Sequence, residues 1–172
     1  MSAASSPSTL ATSPTAIGCR LASSKAEIRT HFELRRAVFV AEQRLFAQDD
    51  RDGRDADAGT LHAVGYVNGV PSGAVRLYEI DSAARLWKGD RLAVLPHHRA
   101  NHLGAQLVRF AVCTAGWLGG STMIAHVQVP NVRFFEHLGW RADGQPAPFH
   151  GVMHQLMSIG LTRGAGVPGP GL

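Results

Sequence analysis

The run Arg91-Leu92-Ala93-Val94-Leu95-Pro96-His97-His98-Arg99-Ala100-Asn101-His102-Leu103-Gly104-Ala105-Gln106-Leu107 constrains the fold more than any other part of the 172-residue chain. Its apolar start, from Asp90 to Leu95, reads as a strand that Pro96 stops, because proline has no donor for a ladder. Leu103, Leu107, Phe110, Ala111, Thr114 and Leu118 then recur at helical spacing, and Gly119-Gly120 ends the helix. A helix that opens so close to a strand end presents free amides at the positive end of its dipole, a natural seat for phosphate. Gly104 and Ala105 fall in its first turn, where small side chains let a pyrophosphate approach the backbone. Arg99 can add charge-assisted bonds to the same oxygens.

The segments around this unit alternate between strand and helix. Ile17 to Leu21 reads as a short strand, and Ser24-Lys25-Ala26-Glu27 matches the capping box that starts a helix. Leu34, Val38, Ala41 and Leu45, flanked by Phe32 and Phe39, predict that this helix runs on to Leu45, buried towards its C-terminal end. An Asp-rich loop follows from Gln48 to Asp57. Asn68-Gly69 between Leu61–Val67 and Gly73–Ile80 signals a tight hairpin. Met123–Val129 is a strand, Asn131–Leu138 a short helix with Gly139 as its C-cap, and Val152–Ile159 a last strand. This order predicts one α/β (α+β) domain, a mixed central sheet flanked by helices, over residues 17–163. Residues 1–16, all Ser, Ala, Thr, Pro and other uncharged types, are expected to stay disordered, and the Gly/Pro-rich tail at 164–172 to be flexible.

The strand–turn–helix resembles the coenzyme motif of the GNAT N-acetyltransferase superfamily. Leu92-Ala93-Val94-x-Pro96, Arg99 and Gly104 match, whereas His102 stands where the family has its middle glycine. Asn131-Val132-Arg133-Phe134-Phe135-Glu136-His137-Leu138-Gly139-Trp140 resembles the family's second segment, along which the pantetheine arm lies. The N-terminal half, Leu34 to Gln43 with the acidic loop, His62 and Arg91, is similar to the branch related to acyl-homoserine-lactone synthases. The resemblance implies a GNAT fold and acetyl-CoA as cosubstrate. Its coenzyme contacts would be Leu92, Ala93, Val94, Arg99, Ala100, Asn101, His102, Leu103, Gly104, Ala105, Asn131, Phe134 and Phe135. A side chain at His102 fits this reading if its backbone is helical and it points away from the phosphates.

The same resemblance implies that an amine of a small acceptor attacks the thioester directly, with Arg36, Phe39 and Glu42 on the acceptor side. Asp90 and His126 are the candidate bases, and each has a plainer reading. Asp90 can pair with Arg91 or Lys88, and His126 can be a hydrogen-bonded core histidine. The departing thiolate usually meets a tyrosine where this chain has Phe135. A coenzyme-binding module without activity, and a transferase for longer acyl chains, remain as alternatives. Members of the family are often homodimers.

Other functions are disfavoured by what the chain lacks. The net charge is +4, but the basic residues form no run of four, so a phosphorylated small molecule accounts for the bias better than nucleic acid. Asp50-x-Asp52 beside Gly53 departs from a calcium loop at Arg54 and Leu61, so the acidic loop is expected to be solvated, or an amine-attracting rim. His97, His98 and His102 have no zinc-site spacing, and no metal is expected. No membrane span or signal segment is expected, and Cys113, set in an apolar helical pattern, reads as a buried free thiol. A cytoplasmic protein is the expectation.

Overall fold

The computed structural model describes residues 15–149 and 151–162. The expectations for 1–14 and 163–172 lie outside the described residues. Ala16 is held to the hairpin turn, its N–H donating to Asn68 Oδ1 and its carbonyl accepting from Asn68 N–H.

Strands β1 (Ile17–Leu21), β2 (Leu61–Val67), β3 (Val70–Asp81), β4 (Leu86–Val94), β5 (Thr122–Gln128), β6 (Arg141–Ala142), β7 (Ala147–Phe149) and β8 (Val152–Gly160) form one mixed sheet. Its order is β1-β2-β3-β4-β5-β8-β6, with β7 also on the free edge of β8. All pairs are antiparallel except β4 and β5. The β2–β3 turn places Asn68 at φ 50° and Gly69 at φ 80°, the doubly left-handed turn whose twist suits a two-residue hairpin.

Helices α1 (Lys25–Arg36) and α2 (Leu103–Trp117) cover opposite faces. Strand alternation divides the side chains: Val64 and Ala74 pack with Leu34 of α1, while Ala63, Val75 and Leu77 pack with Leu103 and Leu107 of α2. α2 lies so close to the sheet that a Cβ on Gly73 would sit 2.9 Å from both Leu107 Cδ1 and the Ala93 carbonyl. Glycine at this position lets α2 settle against the end of β4. A third helix, α3 (Val132–His137), follows β5.

The capping box at Ser24 and Glu27 forms as expected. The helix predicted to reach Leu45 does not stay α-helical. Residues Ala37–Glu42 widen into a π-turn, with Gln43 N–H donating to the Val38 carbonyl at 2.8 Å. The wider turn resets the helical phase, so the consecutive Val38 and Phe39 face the core and Ala41 turns outward. Cys113 is likewise exposed, not buried as its pattern suggested. Among the described residues, no helix is long and apolar enough to cross a membrane.

Candidate active site

The sheet opens between its two parallel strands. β4 pairs with β5 only where Leu86, Trp87 and Lys88 meet Thr122, Met123 and Ile124. Beyond Lys88 the strands diverge, because β4 bulges at Arg91 and Leu92, two residues opposite the single Val75 of β3. Arg91 takes φ 52°, an uncommon conformation for a residue with a side chain, and the kink turns β4 away from β5. β5 meanwhile stays paired with β8 along its length. The divergence leaves a solvent-open cleft of about 170 Å³ between the strands. Phe39, Phe46, His126 and Phe149 line it towards α1, and Val108, Ala111, Phe135 and Trp140 line it towards α2.

At the C-terminal end of β4 a 3-10 turn, Pro96–Asn101, leads into α2. The first α2 amide bonded to a preceding carbonyl is that of Gln106, to His102 at 3.2 Å, so the amides of Leu103, Gly104 and Ala105 come before the ladder. His102 is left-handed (φ 60°, ψ 12°), which corrects the expectation of a helical backbone there. Histidine is among the few non-glycine types that adopt this region. A left-handed residue beside right-handed ones is a backbone arrangement that can turn successive amides towards a common point. Gly104 faces α3: a Cβ built on it would lie 3.7 Å from Phe134 Cζ. The two segments singled out in the sequence therefore touch.

Arg99 does not point freely at this helix start. Its guanidinium donates to both Glu42 oxygens, at 2.8 and 2.6 Å, and its Nε to the Val94 carbonyl at 3.1 Å. Arg36 turns outward, with Nε 3.4 Å from the Gln48 carbonyl, and does not line the cleft. Of the predicted site residues, Asp90, Leu92, His126, Asn131, Phe135 and Phe39 do line it. Ala93 faces the opposite way, into the cluster with Val38 and Phe39. Val94, Arg99, Ala100, Asn101, His102, Leu103, Gly104 and Ala105 form the helix-start region beyond the cleft's end.

The acidic loop is largely exposed, as expected, but Asp50 is buried and Asp55 half-buried, and both carboxylates are bonded to guanidiniums. Arg35, fully buried, donates to Asp50 and Asp55, and Arg76, 1% exposed, to Asp52 and Asp90. Arg91 completes the lattice through the Asp50 carbonyl and Asp52. Three guanidiniums thus engage four carboxylates, one negative charge more than they carry, and these bonds hold Asp52 and Asp55 below the usual carboxylate range against the cost of burial. Asp90 pairs with neither Arg91 nor Lys88. Both its oxygens accept from Arg76, at 2.7 and 2.8 Å, and Oδ2 also from the Tyr78 hydroxyl. Nothing in the loop pattern foretold these partners, although Arg35 and Arg76 stand out as charges set in apolar runs.

His126 projects from β5 on the α1 side of the sheet and is exposed, not a core histidine. Its ring stacks on Phe149 at 4.7 Å and 10°. Although the residue is exposed, its partial burial against Phe149, with Lys88 nearby, lowers its pKa against the opposing pull of Asp90, so it is neutral near pH 7. Lys88, Phe149 and His154 are site residues that sequence reasoning missed. The β7–β8 hairpin carries the last two, and its Pro-interrupted entry shows no strand periodicity.

The profile of the Acetyltransferase (GNAT) family matches residues 26–140. A Bacillus subtilis (strain 168) protein, BSU40680, that carries the name of an acetyltransferase is 30% identical over 136 residues, 78% of this chain and 90% of that one. A Lactobacillus plantarum crystal structure, described as an N-acetyltransferase, superposes with TM-score 0.75 at 26% identity, covering 85% of this chain and 99% of that one. The structure of BjaI, a CoA-dependent acyl-homoserine lactone synthase solved with SAM and isopentyl-CoA, superposes with TM-score 0.69 at 19% identity, covering 85% of each chain.

Proposed function

From a chain that belongs to the acetyltransferase (GNAT) family, and is therefore an acyltransferase, we propose transfer of an acetyl group from acetyl-CoA to the amine of a small acceptor by direct attack. The observation that carries this reading is the end of β4–β5 pairing at Lys88 and Ile124, which opens a cleft between the α2 start and His126. The residues present fit the coenzyme: the α2 amides and the left-handed His102 would hold its pyrophosphate, and the unpaired edge of β4 its pantetheine arm.

The acceptor nitrogen must be neutral to attack. An alkylamine with pKa about 10.4 is only about one part in a thousand neutral near pH 7.4, a handicap of roughly 4 kcal/mol. His126, neutral and facing the cleft, is placed to take that proton. Asp90 is less suited, since Arg76 and Tyr78 occupy its oxygens. As the N–C bond forms and the C–S bond breaks, a free β4 amide between Leu92 and Val94 meets the charge on the carbonyl oxygen. The thiolate has no phenol nearby. Phe135 packs against Phe134 and Trp140, and neither Tyr66 nor Tyr78 lines the cleft. Water carries the proton to sulfur in this reading.

A longer acyl chain is the second reading, favoured by the apolar extension of the cleft along Val75, Val108, Ala111 and Trp140. Calorimetric titration with acetyl-CoA and hexanoyl-CoA, followed by thiol release in the presence of an amine panel, tests both. Tighter acetyl-CoA binding with amine-dependent thiol release is expected. Tighter hexanoyl-CoA binding would favour the second reading, and binding of neither would sink both.

A further inference from the structure

On the side of the cleft facing α1 the lining carboxylate, Asp90, is already bonded to a guanidinium, while one lining cation is bonded to no carboxylate. Asp90 is engaged by Arg76, and the lining Arg91 by Asp50 and Asp52. Lys88, half-buried on β4, is the lining cation that no carboxylate of the described residues pairs. Its ammonium lies 5.7 Å from the centre of the Phe149 ring, on which His126 stacks, and His154 meets the same ring edge-on at 5.5 Å. One lysine and two histidines therefore surround an aromatic platform.

A polyamine placed here would bring a further ammonium group against Lys88, which no carboxylate pairs, an arrangement that disfavours it by repulsion. An acceptor with its own anionic group would neutralise Lys88 instead. The coenzyme's phosphates belong elsewhere: Lys88 and Val94 are six residues apart, so the helix start lies about 20 Å along β4 from Lys88. We propose that the acceptor carries a carboxylate as well as its amine, and that Lys88 binds this carboxylate. The inference rests on the transferase reading above. It assigns Lys88 as a specificity residue and the acceptor class as amino acids or similar amino-carboxylates.

The test uses the full chain saturated with CoA, so that the phosphate seat is filled, and titrates it with phenylacetate, phenylacetamide and spermidine. Phenylacetate is expected to bind at least tenfold more tightly than phenylacetamide. Lys88→Met should level the two, and Lys88→Arg should keep most of the difference. Equal binding of acid and amide to the unaltered chain, tighter binding of spermidine, or a preference that survives Lys88→Met would each overturn the assignment. CoA binding without a carboxylate preference refutes Lys88 alone, whereas failure of CoA itself to bind would overturn the transferase reading with it.

Discussion

Substituting Glu42 with glutamine is expected to tighten acetyl-CoA binding. Arg99 is the basic side chain nearest the phosphate seat by sequence, yet its two terminal nitrogens are spent on Glu42. A pyrophosphate arriving at the start of α2 must share that guanidinium or displace the carboxylate. The pair is open to water, with side chains 45% and 34% exposed, so solvent screening keeps its strength to about 0.2–1 kcal/mol. Removing the competing charge should therefore lower Kd by roughly 1.4- to 5-fold. Arg99→Ala should act oppositely, losing about 1–3 kcal/mol of charged hydrogen bonding, or roughly 5- to 150-fold in Kd. The double variant should behave like Arg99→Ala, since Glu42 competes only through Arg99. Arg99 holds the Glu42 carboxyl below the usual range, so Glu42 stays ionised and the effect should be flat between about pH 6 and 8. Calorimetric titration of the four proteins reads all of this. Weaker binding by Glu42→Gln would refute the reasoning, because it would mean that Glu42 positions Arg99 for the phosphate.

Three further outcomes follow from the same geometry. His126→Gln is expected to remove the acid limb of the rate profile, which should lie below the ordinary histidine pKa because burial, Lys88 and His154 lower it; an unchanged profile of thiol release would exclude His126 as the base. Phe135→Tyr should leave thioester cleavage unchanged or faster, and a large loss would show that the buried ring serves packing alone. His31 is fully buried, its Nδ1 next to the Ala63 carbonyl and its Nε2 facing Arg35, and its pKa falls to about 3, chiefly through burial. Stability is then complete above the unfolded value near 6.5 and declines by about 1.4 kcal/mol per pH unit as pH falls towards 3. Urea unfolding of His31→Gln between about pH 6 and 5 should lose one proton's worth of that slope, and an unaltered slope would place the proton uptake elsewhere.

How legible the site was depended on the range of the interactions that build it. The strand–turn–helix proposed to seat the coenzyme was legible because it is local: Pro96, Arg99, Gly104 and the helical spacing from Leu103 to Leu118 sit within it. The Asn68-Gly69 hairpin was legible for the same reason. The backbone of His102 was misjudged because a histidine can take a glycine's left-handed conformation when the turn demands it. The π-turn at Ala37–Glu42 was invisible to a helical wheel, whose fixed period sent Ala41 inward. The acceptor side was least legible. Lys88, His126, Phe149 and His154 come from four strands, and only the β4–β5, β5–β8 and β7–β8 registers bring them together.

The arginine–aspartate lattice ties these parts into one device. Arg91 bears the left-handed backbone that kinks β4, a strain of about 1–3 kcal/mol for a residue with a side chain. Its guanidinium is fastened to the Asp50 carbonyl and to Asp52, and those residues are in turn clamped by the buried Arg35 and Arg76. The loop thus helps hold open the bulge that separates β4 from β5, so the cleft depends on charge pairing on the α1 face as well as on apolar packing under α2. The same lattice bonds Asp50, Asp52, Asp55 and Asp90 to guanidiniums. What remains at the mouth is a neutral histidine and a lysine without a carboxylate partner among the described residues. A loop expected to be solvated, or to form an amine-attracting rim, thus directs Asp50 and Asp52 to the strand kink, and the acceptor meets Lys88 as the lining cation still to be paired.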